Sequence, residues 1–211
     1  MKFFDTQSLK TLPSRERATL INSISGIRSA NLIGTRGSSG TNLSVFNSVM
    51  HLGSDPALLG VVFRPLTVER HTYANIKDLK DFSVNAITSA MAARAHQTSA
   101  KYPEGTSEFE AVGFEPLFRK ETHIPFVKES PIHILCSYSQ EHLLENQCVL
   151  VTASIKAIWI DEKALGHGHF INHEHLKTAG IGGLDAYYST TLEGRYAYAK
   201  PDQSPTKIDP K

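Results

Sequence analysis

The chain has 211 residues, 40% of them hydrophobic, with 22 Lys and Arg against 21 Asp and Glu and a net charge of +1. That length and apolar content suit one globular domain with a sizeable core, and a balanced charge with no basic block excludes a nucleic-acid binder. No apolar run is long enough to span a membrane, the N-terminus MKFFDTQSLKTLPSRER turns polar at once, and Cys136 and Cys148 form no CxxC pair, so a cytoplasmic protein with reduced thiols is expected.

Taken in chain order, Pro13 to Ile24 predicts a short helix with Ser14 as its cap and Gly26 as its stop. Ser29 to Thr35 predicts a strand, and Gly37-Ser38-Ser39-Gly40 a hairpin turn. TNLSVFNSVMHLGSDPALLGVVFRP, Thr41 to Pro65, predicts two strands broken at Gly53-Ser54-Asp55-Pro56. Arg70 to Leu79 predicts a helix with Thr72 near its start. Asp81 to Thr88 predicts a half-buried strand, with Phe82, Val84 and Ala86 alternating against Ser83, Asn85 and Ile87. Helices are expected over Ser89 to Ala100 and Ser107 to Val112. Strands are expected from Ile132 and over Cys148 to Ile160, the second inside a sheet because it is long and β-branched. The residues from 1 to 198 read as one domain and 199 to 211, rich in proline and charge, as an extended or disordered tail. Many closely spaced strands with inserted helices predict a mainly β protein, a barrel decorated by helices.

No GxGxxG follows a strand, no GxSxG elbow is present, and the Gly34 to Gly40 segment lacks the Lys-Ser/Thr pair of a P-loop. The first half of the Thr41 to Pro65 stretch is unusual: Asn42, Ser44, Asn47, Ser48 and His51 are threaded between apolar residues. An unpaired buried polar group costs about 1–3 kcal/mol. These side chains therefore either hold a polar ligand, such as a phosphate, a ribityl chain or a heteroaromatic edge, or face water on a bulged edge strand. A second cluster is Arg64, Arg70, His71, Thr72 and Asn75, where arginine, a hydroxyl and a helix N-terminus suit an anion. A basic first turn opposes the helix dipole, and that conflict favours an anion over a plain surface helix. Gln97 lies in a third, weaker cluster at a helix end. Gly166 to His175 holds four histidines and Glu174, but no further ligand stands at a metalloenzyme spacing. A solvated loop leading into a helix capped by Asn172 is the expectation there, and no metal site is assigned.

The Thr41 to Pro65 run, followed by RHTYANI, FSVNAI, AHQTSAKYPEGTSEFEAVGF and the closing GLDAYY of Gly183 to Tyr188, resembles the flavin reductase-like proteins that bind FMN on a split β-barrel. The resemblance spans Ala30 to Tyr188. It is specific in the first half and loose after Phe118, and the histidine-rich segment departs from it. It implies FMN held at a homodimer interface. Asn42 and Ser44 would then lie near the ribityl-phosphate. Asn47 and Ser48, with the backbone of Val49, Met50, His51 and Leu52, would approach the isoalloxazine. Arg64, Arg70, His71 and Thr72 would form the phosphate end, with Asn75, Asn85 and Gln97 as further candidates. His51 and His71 could tune the flavin or serve as structural hydrogen-bonding groups. The implied activity is electron transfer from NADH or NADPH through FMN to a second flavin or another small acceptor, with no catalytic side chain named. The alternatives are an FMN- or haem-binding storage or sensor module, and a non-flavin protein whose histidine loop binds a metal.

Overall fold

The computed structural model describes residues 1–103 and 105–208. Two helices come first, α1 (Thr6–Thr11) and α2 (Ser14–Ser23). The sequence reading lacked α1, which Asp5 caps by accepting the Ser8 N–H at 2.7 Å. Ser14 is the first residue of α2 rather than its cap; Arg17 holds the corner by donating to the carbonyls of Lys10 and Leu12, both at 3.1 Å. Gly26, at φ 79°, ends this arm as expected, in a conformation that costs glycine little. Neither helix buries a residue, so the arm rests on the body without building its core.

The strand expected over Ser29 to Thr35 is two. β1 (Ile27–Ser29) joins a small sheet, whereas β2 (Asn31–Gly37) belongs to the large one. β3 (Gly40–Phe46) returns through the predicted hairpin, Gly37 opposite Gly40, the latter at φ 119°. The Thr41 to Pro65 stretch holds three strands, not two, because the chain turns at Asn47-Ser48 as well as at Asp55-Pro56. Its later parts are β4 (Val49–Ser54) and β5 (Ala57–Phe63). Then come α3 (His71–Leu79), β6 (Asp81–Ala86), a 3-10 turn and α4 (Ala92–Gln97), and α5 (Glu108–Val112). β7 (Pro116–Leu117) pairs with β8 (Phe126–Val127). The long antiparallel strands β9 (Ile132–Leu143) and β10 (Val149–Ile160) follow, and β10 is interior as predicted. β11 (Ala179–Gly182) lies between β1 and β12 (Ala186–Ser189). Finally β13 (Arg195–Tyr196) pairs with β14 (Lys207–Ile208), so part of the segment after residue 198 folds back as a strand; residues 209 to 211 lie outside the described residues.

The large sheet has the order β3-β2-β6-β9-β10-β5-β4. Its two edge strands, β3 and β4, are consecutive in sequence and joined by two residues only. In a flat sheet six spacings of about 4.8 Å would hold them roughly 29 Å apart. Three Cα–Cα steps reach about 11 Å. The sheet therefore curls until its edges meet, and since β3 pairs with β2 and β4 with β5, the barrel has a seam there. One core cluster fills its inside, with Ile33, Val61, Phe63, Phe82, Val84 and Val151 from four strands and Ile76 of α3 as plug. A second lies outside, where Leu32 and Leu43 meet Met91, Ala95, Phe109 and Phe114 of the helical side.

β6 corrects the predicted alternation: Phe82, Ser83, Val84 and Asn85 are all buried. The segment before β8 covers its outer face, and Ser83 Oγ donates to Pro125 O at 2.6 Å. The histidine-rich segment is also corrected. It makes a 3-10 turn at His167–His169 and further turns beyond, not a helix, although Asn172 Oδ1 does cap by accepting the His175 N–H at 3.0 Å. Among the described residues no helix is long and apolar enough to cross a membrane.

α3 is clamped to β9 by a polar cluster. Tyr73 Oη donates to Glu141 Oε2 at 2.9 Å, Lys77 Nζ lies 3.1 Å from Glu141 Oε1, and Lys77 also donates to Tyr138 Oη at 3.0 Å. Burial alone would raise the Glu141 carboxyl, but the hydrogen bonds from Tyr73 and Lys77 outweigh it and hold the group below its usual 4.5. A lowered folded-state value means stability that is present above pH 4.5 and lost as pH falls through the folded value. Glu141→Gln should therefore cost about 0.5–1 kcal/mol at neutral pH, as expected of a half-exposed pair, and nothing in acid. Urea unfolding midpoints of both proteins from neutral pH down through the acid range measure this; a gap that stays constant however far the pH falls contradicts it.

Candidate functional site

The seam gathers most of the polar residues singled out in sequence. Along β3, Leu43 and Val45 pack into the outer cluster, and Phe46 packs into the barrel interior. Asn42 stands opposite Thr35 and Ser44 opposite Ile33, Ser44 half-buried. In the two-residue link, Asn47 Nδ2 donates to Gly183 O at 2.7 Å, fastening the turn to the GLDAYY segment. Ser48 Oγ donates to Val62 O at 2.8 Å, fastening it to β5. Val49, Met50 and His51 follow on β4, the free edge of the sheet, with Met50 and His51 exposed. A free edge presents unpaired backbone N–H and C=O groups.

Asn42 is the centre of a polar knot. Its Oδ1 accepts from the Thr72 hydroxyl at 2.8 Å and the Thr35 hydroxyl at 3.2 Å. Its Nδ2 donates to both oxygens of Glu108, at 2.9 and 3.1 Å. The same carboxylate accepts the Leu43 N–H at 2.9 Å, and so covers part of the free edge of β3. Asn75 Nδ2 donates to Thr35 Oγ1 at 3.0 Å. A carboxylate only accepts, so the orientation of the Asn42 amide is determined. Thr35, Thr72 and Glu108 are buried. The knot ties β2, β3, α3 and α5 together, and it engages the Asn42 amide and the Thr72 hydroxyl, expected from sequence to face FMN, with protein partners.

The anion cluster forms at the start of α3. Arg70 is the N-cap residue but supplies no side-chain cap. Its guanidinium reaches Pro65 O only at 3.5 Å, and its Nε is buried without a partner. His71 and Arg64 are exposed, and His71 stands 3.9 Å from Glu69. An uncapped helix start beside an arginine with an unmet donor suits an oxyanion.

Two candidates lie elsewhere. Asn85 is fully buried in β6, and its amide is engaged: Nδ2 donates to Leu32 O and Ser83 Oγ, and Oδ1 accepts the Val127 N–H at 3.0 Å. It is a structural group of the barrel wall. Gln97, at the end of α4, is exposed and bonds to Tyr102 Oη at 3.4 Å. Sequence reasoning missed Glu108, Thr35 and the docking of Gly183. Glu108 opens a short helix and reads as an ordinary first-turn acid; nothing local points to a partner 66 residues away. In the histidine-rich segment, His173 Nδ1 lies 3.1 Å from Thr178 Oγ1 and burial lowers the His173 pKa; the described residues contain no group of three His, Cys, Asp or Glu placed to hold a metal.

A family model described as the flavin reductase like domain matches residues 28–179. A protein of Shewanella frigidimarina NCIMB 400, assigned as a flavin reductase with split barrel domain, is 38% identical. Its structure superposes with a TM-score of 0.90 over 94% of this chain and 100% of that one. Two further structures share the fold, both with TM-scores of 0.81. They are 2-nitrobenzoate 2-nitroreductase of Pseudomonas fluorescens, 21% identical over 96% of this chain and 99% of that one, and nitrilotriacetate monooxygenase component B of Bacillus cereus, 19% identical over 92% and 98%. The fold is that of the split-barrel flavin reductases. The chain belongs to the flavin reductase-like domain family.

Removing Asn42 tests the knot. Asn42→Ala leaves the Thr72 hydroxyl and the Glu108 carboxylate without their partner, so the free energy of unfolding should fall by about 2–4 kcal/mol. Urea denaturation reads this directly, and an unchanged midpoint would show that the knot holds nothing together.

Proposed function

We propose that the protein is an FMN-dependent oxidoreductase that takes electrons from NADH or NADPH and passes them to a flavin or another small acceptor. The observation that carries this reading is the seam: β3 and its link to β4 carry amide and hydroxyl side chains, β4 leaves a free backbone edge, and Thr72 joins β3 to an uncapped helix start where the Arg70 Nε is buried without a partner. Donor set and ligand agree in chemistry. The Ser44 hydroxyl suits the ribityl chain, the backbone of Val49 to His51 suits the polar edge of an isoalloxazine, and the exposed Met50 and Leu52 suit its apolar face. Arg64, Arg70, His71 and the first turn of α3 suit the phosphate.

Bound there, FMN would supply the redox chemistry itself. The chain's part is to bind, orient and shield. Asn47 and Ser48 hold the turn of the seam, and Asn42, Thr72 and Asn75 set the start of α3 against β3. They act as positioning residues, one layer behind the ligand.

A homodimer fits the same surface. β4 is a free edge with Met50 and Leu52 each 41% exposed, and Leu66 and Val68 are also exposed nearby in sequence. Edges of this kind invite a partner, and a second copy would cover the seam.

The test is a visible spectrum of the purified protein loaded with FMN, before and after anaerobic NADH and then NADPH, with its mass in solution measured in parallel. A bound flavin that bleaches with one donor, on a dimeric protein, is expected. Arg70→Ala should weaken FMN binding about tenfold, the loss of one charge-assisted contact. Flavin that binds but stays oxidised with both donors would assign storage or sensing instead. A protein that takes up no FMN sinks the reading.

A further inference from the structure

A second cleft opens beside the seam, not on the residues named above. It encloses about 530 Å³ between the β2–β3 hairpin and the loop joining β7 to β8, with Arg36, Thr41, Phe118, Arg119, Lys120 and His123 in its wall. That volume is within the range of nucleotide-sized ligand sites. None of the lining residues is an acid; Glu121, in the same loop, is not part of the wall. A concave surface carrying two guanidinium groups and an ammonium attracts anions and concentrates them.

Arg119 is built into this wall. Its guanidinium lies over Trp159, 4.4 Å from the ring centroid, and 5.7 Å from that of Phe126. Its Nη2 is 2.8 Å from His133 Nδ1. Arginine only donates, so His133 accepts there as a neutral imidazole and donates through Nε2 to Val127 O at 2.7 Å. The Arg119 Nε is buried without a partner. Elsewhere, Arg94, Lys128 and Lys77 each meet a carboxylate, of Glu129, Glu115 and Glu141. Arg119 instead rests on aromatic rings and a neutral histidine, so its charge remains available to a ligand. Phe118, 49% exposed, offers a flat apolar face at the same cleft. Thr41 connects the two regions: it neighbours Asn42, and its hydroxyl lies 2.8 Å from Ser107 Oγ, next to Glu108.

We propose that this cleft binds a nucleoside diphosphate group, its phosphates on Arg36, Arg119 and Lys120 and its base against Phe118. On the flavin reading above, the group belongs to the adenosine end of the nicotinamide donor, anchored beside the seam while the nicotinamide reaches the flavin. Binding itself does not require the flavin, so the two ideas can fail separately.

Trp159 is the one tryptophan of the chain, which makes the cleft self-reporting. Flavin-free protein is titrated with ADP while Trp159 emission is followed, with adenosine and inorganic phosphate as separate arms. ADP should give a saturable change, adenosine none, and phosphate a much weaker one. Arg36→Gln and Lys120→Gln, at exposed positions where folding is not at stake, should each weaken ADP at least about tenfold, and NADH or NADPH should compete with it. No saturable response to ADP would overturn the proposal. So would phosphate binding as tightly as ADP, or ADP binding unchanged in both variants. ADP displaced by FMN but not by either dinucleotide would overturn the assignment to the donor.

Discussion

The rest of the structure depends on one length. Two residues, Asn47 and Ser48, connect the first and last strands of a seven-stranded order, and so short a link forces the sheet to curl until its edges meet. The barrel interior, the plug by α3 and the outer helical layer follow from that curvature. The seam follows too. Since β3 and β4 meet without pairing, their outer backbone groups are left for a side chain, a ligand or another chain to satisfy. The fold thus leaves a strip of open hydrogen-bonding capacity along the seam, and that strip is the candidate site.

Part of the strip is closed from within. Glu108 crosses from α5 to cover the Leu43 N–H and to take both donors of Asn42, while Thr72 and Thr35 satisfy the Asn42 oxygen. An amide taken out of water needs partners, and here they come from three other elements, β2, α3 and α5. The same rule governs Asn85, whose amide joins β2, β6 and β8 inside the wall. Polar residues in this barrel therefore fall into two kinds. Some are matched and fix how elements meet. Others, such as Arg70 and Arg119, keep a buried donor without a protein partner, and these mark where charge of the opposite sign is wanted.

How much was legible in sequence varied with the range of the interaction. The hairpin turn at Gly37 to Gly40, the helix starting near Thr72 and the long interior strand ending at Ile160 are local features of the sequence, and they stand. The errors share a cause. β6 was read as half-buried because its alternation is regular, yet residues far along the chain cover its second face. The Thr41 to Pro65 stretch was read as two strands because Asn47-Ser48 lacks Gly or Pro; what bends the chain there is barrel closure, not turn propensity. Asn42 and Thr72 fall in two separate polar clusters in sequence; the structure joins them directly, and the further partner of Asn42, Glu108, has no local signature.

The sequence by itself determined the class: a mainly β protein whose ordered motifs resemble the flavin reductase-like family, with polar side chains concentrated on one stretch and a basic helix start after it. Hydrophobic periodicity, turn residues and motif order are properties of neighbouring positions, so they survive without a structure. Only the tertiary structure decided which of those polar groups remain open. It showed Asn42, Thr72 and Asn85 engaged within the protein and Arg70 unmet, and it brought Arg36 together with the Phe118 to His123 loop into one cleft. Whether a hydrogen-bonding group is free depends on what stands within about 3 Å of it, and in a barrel those neighbours come from distant parts of the chain.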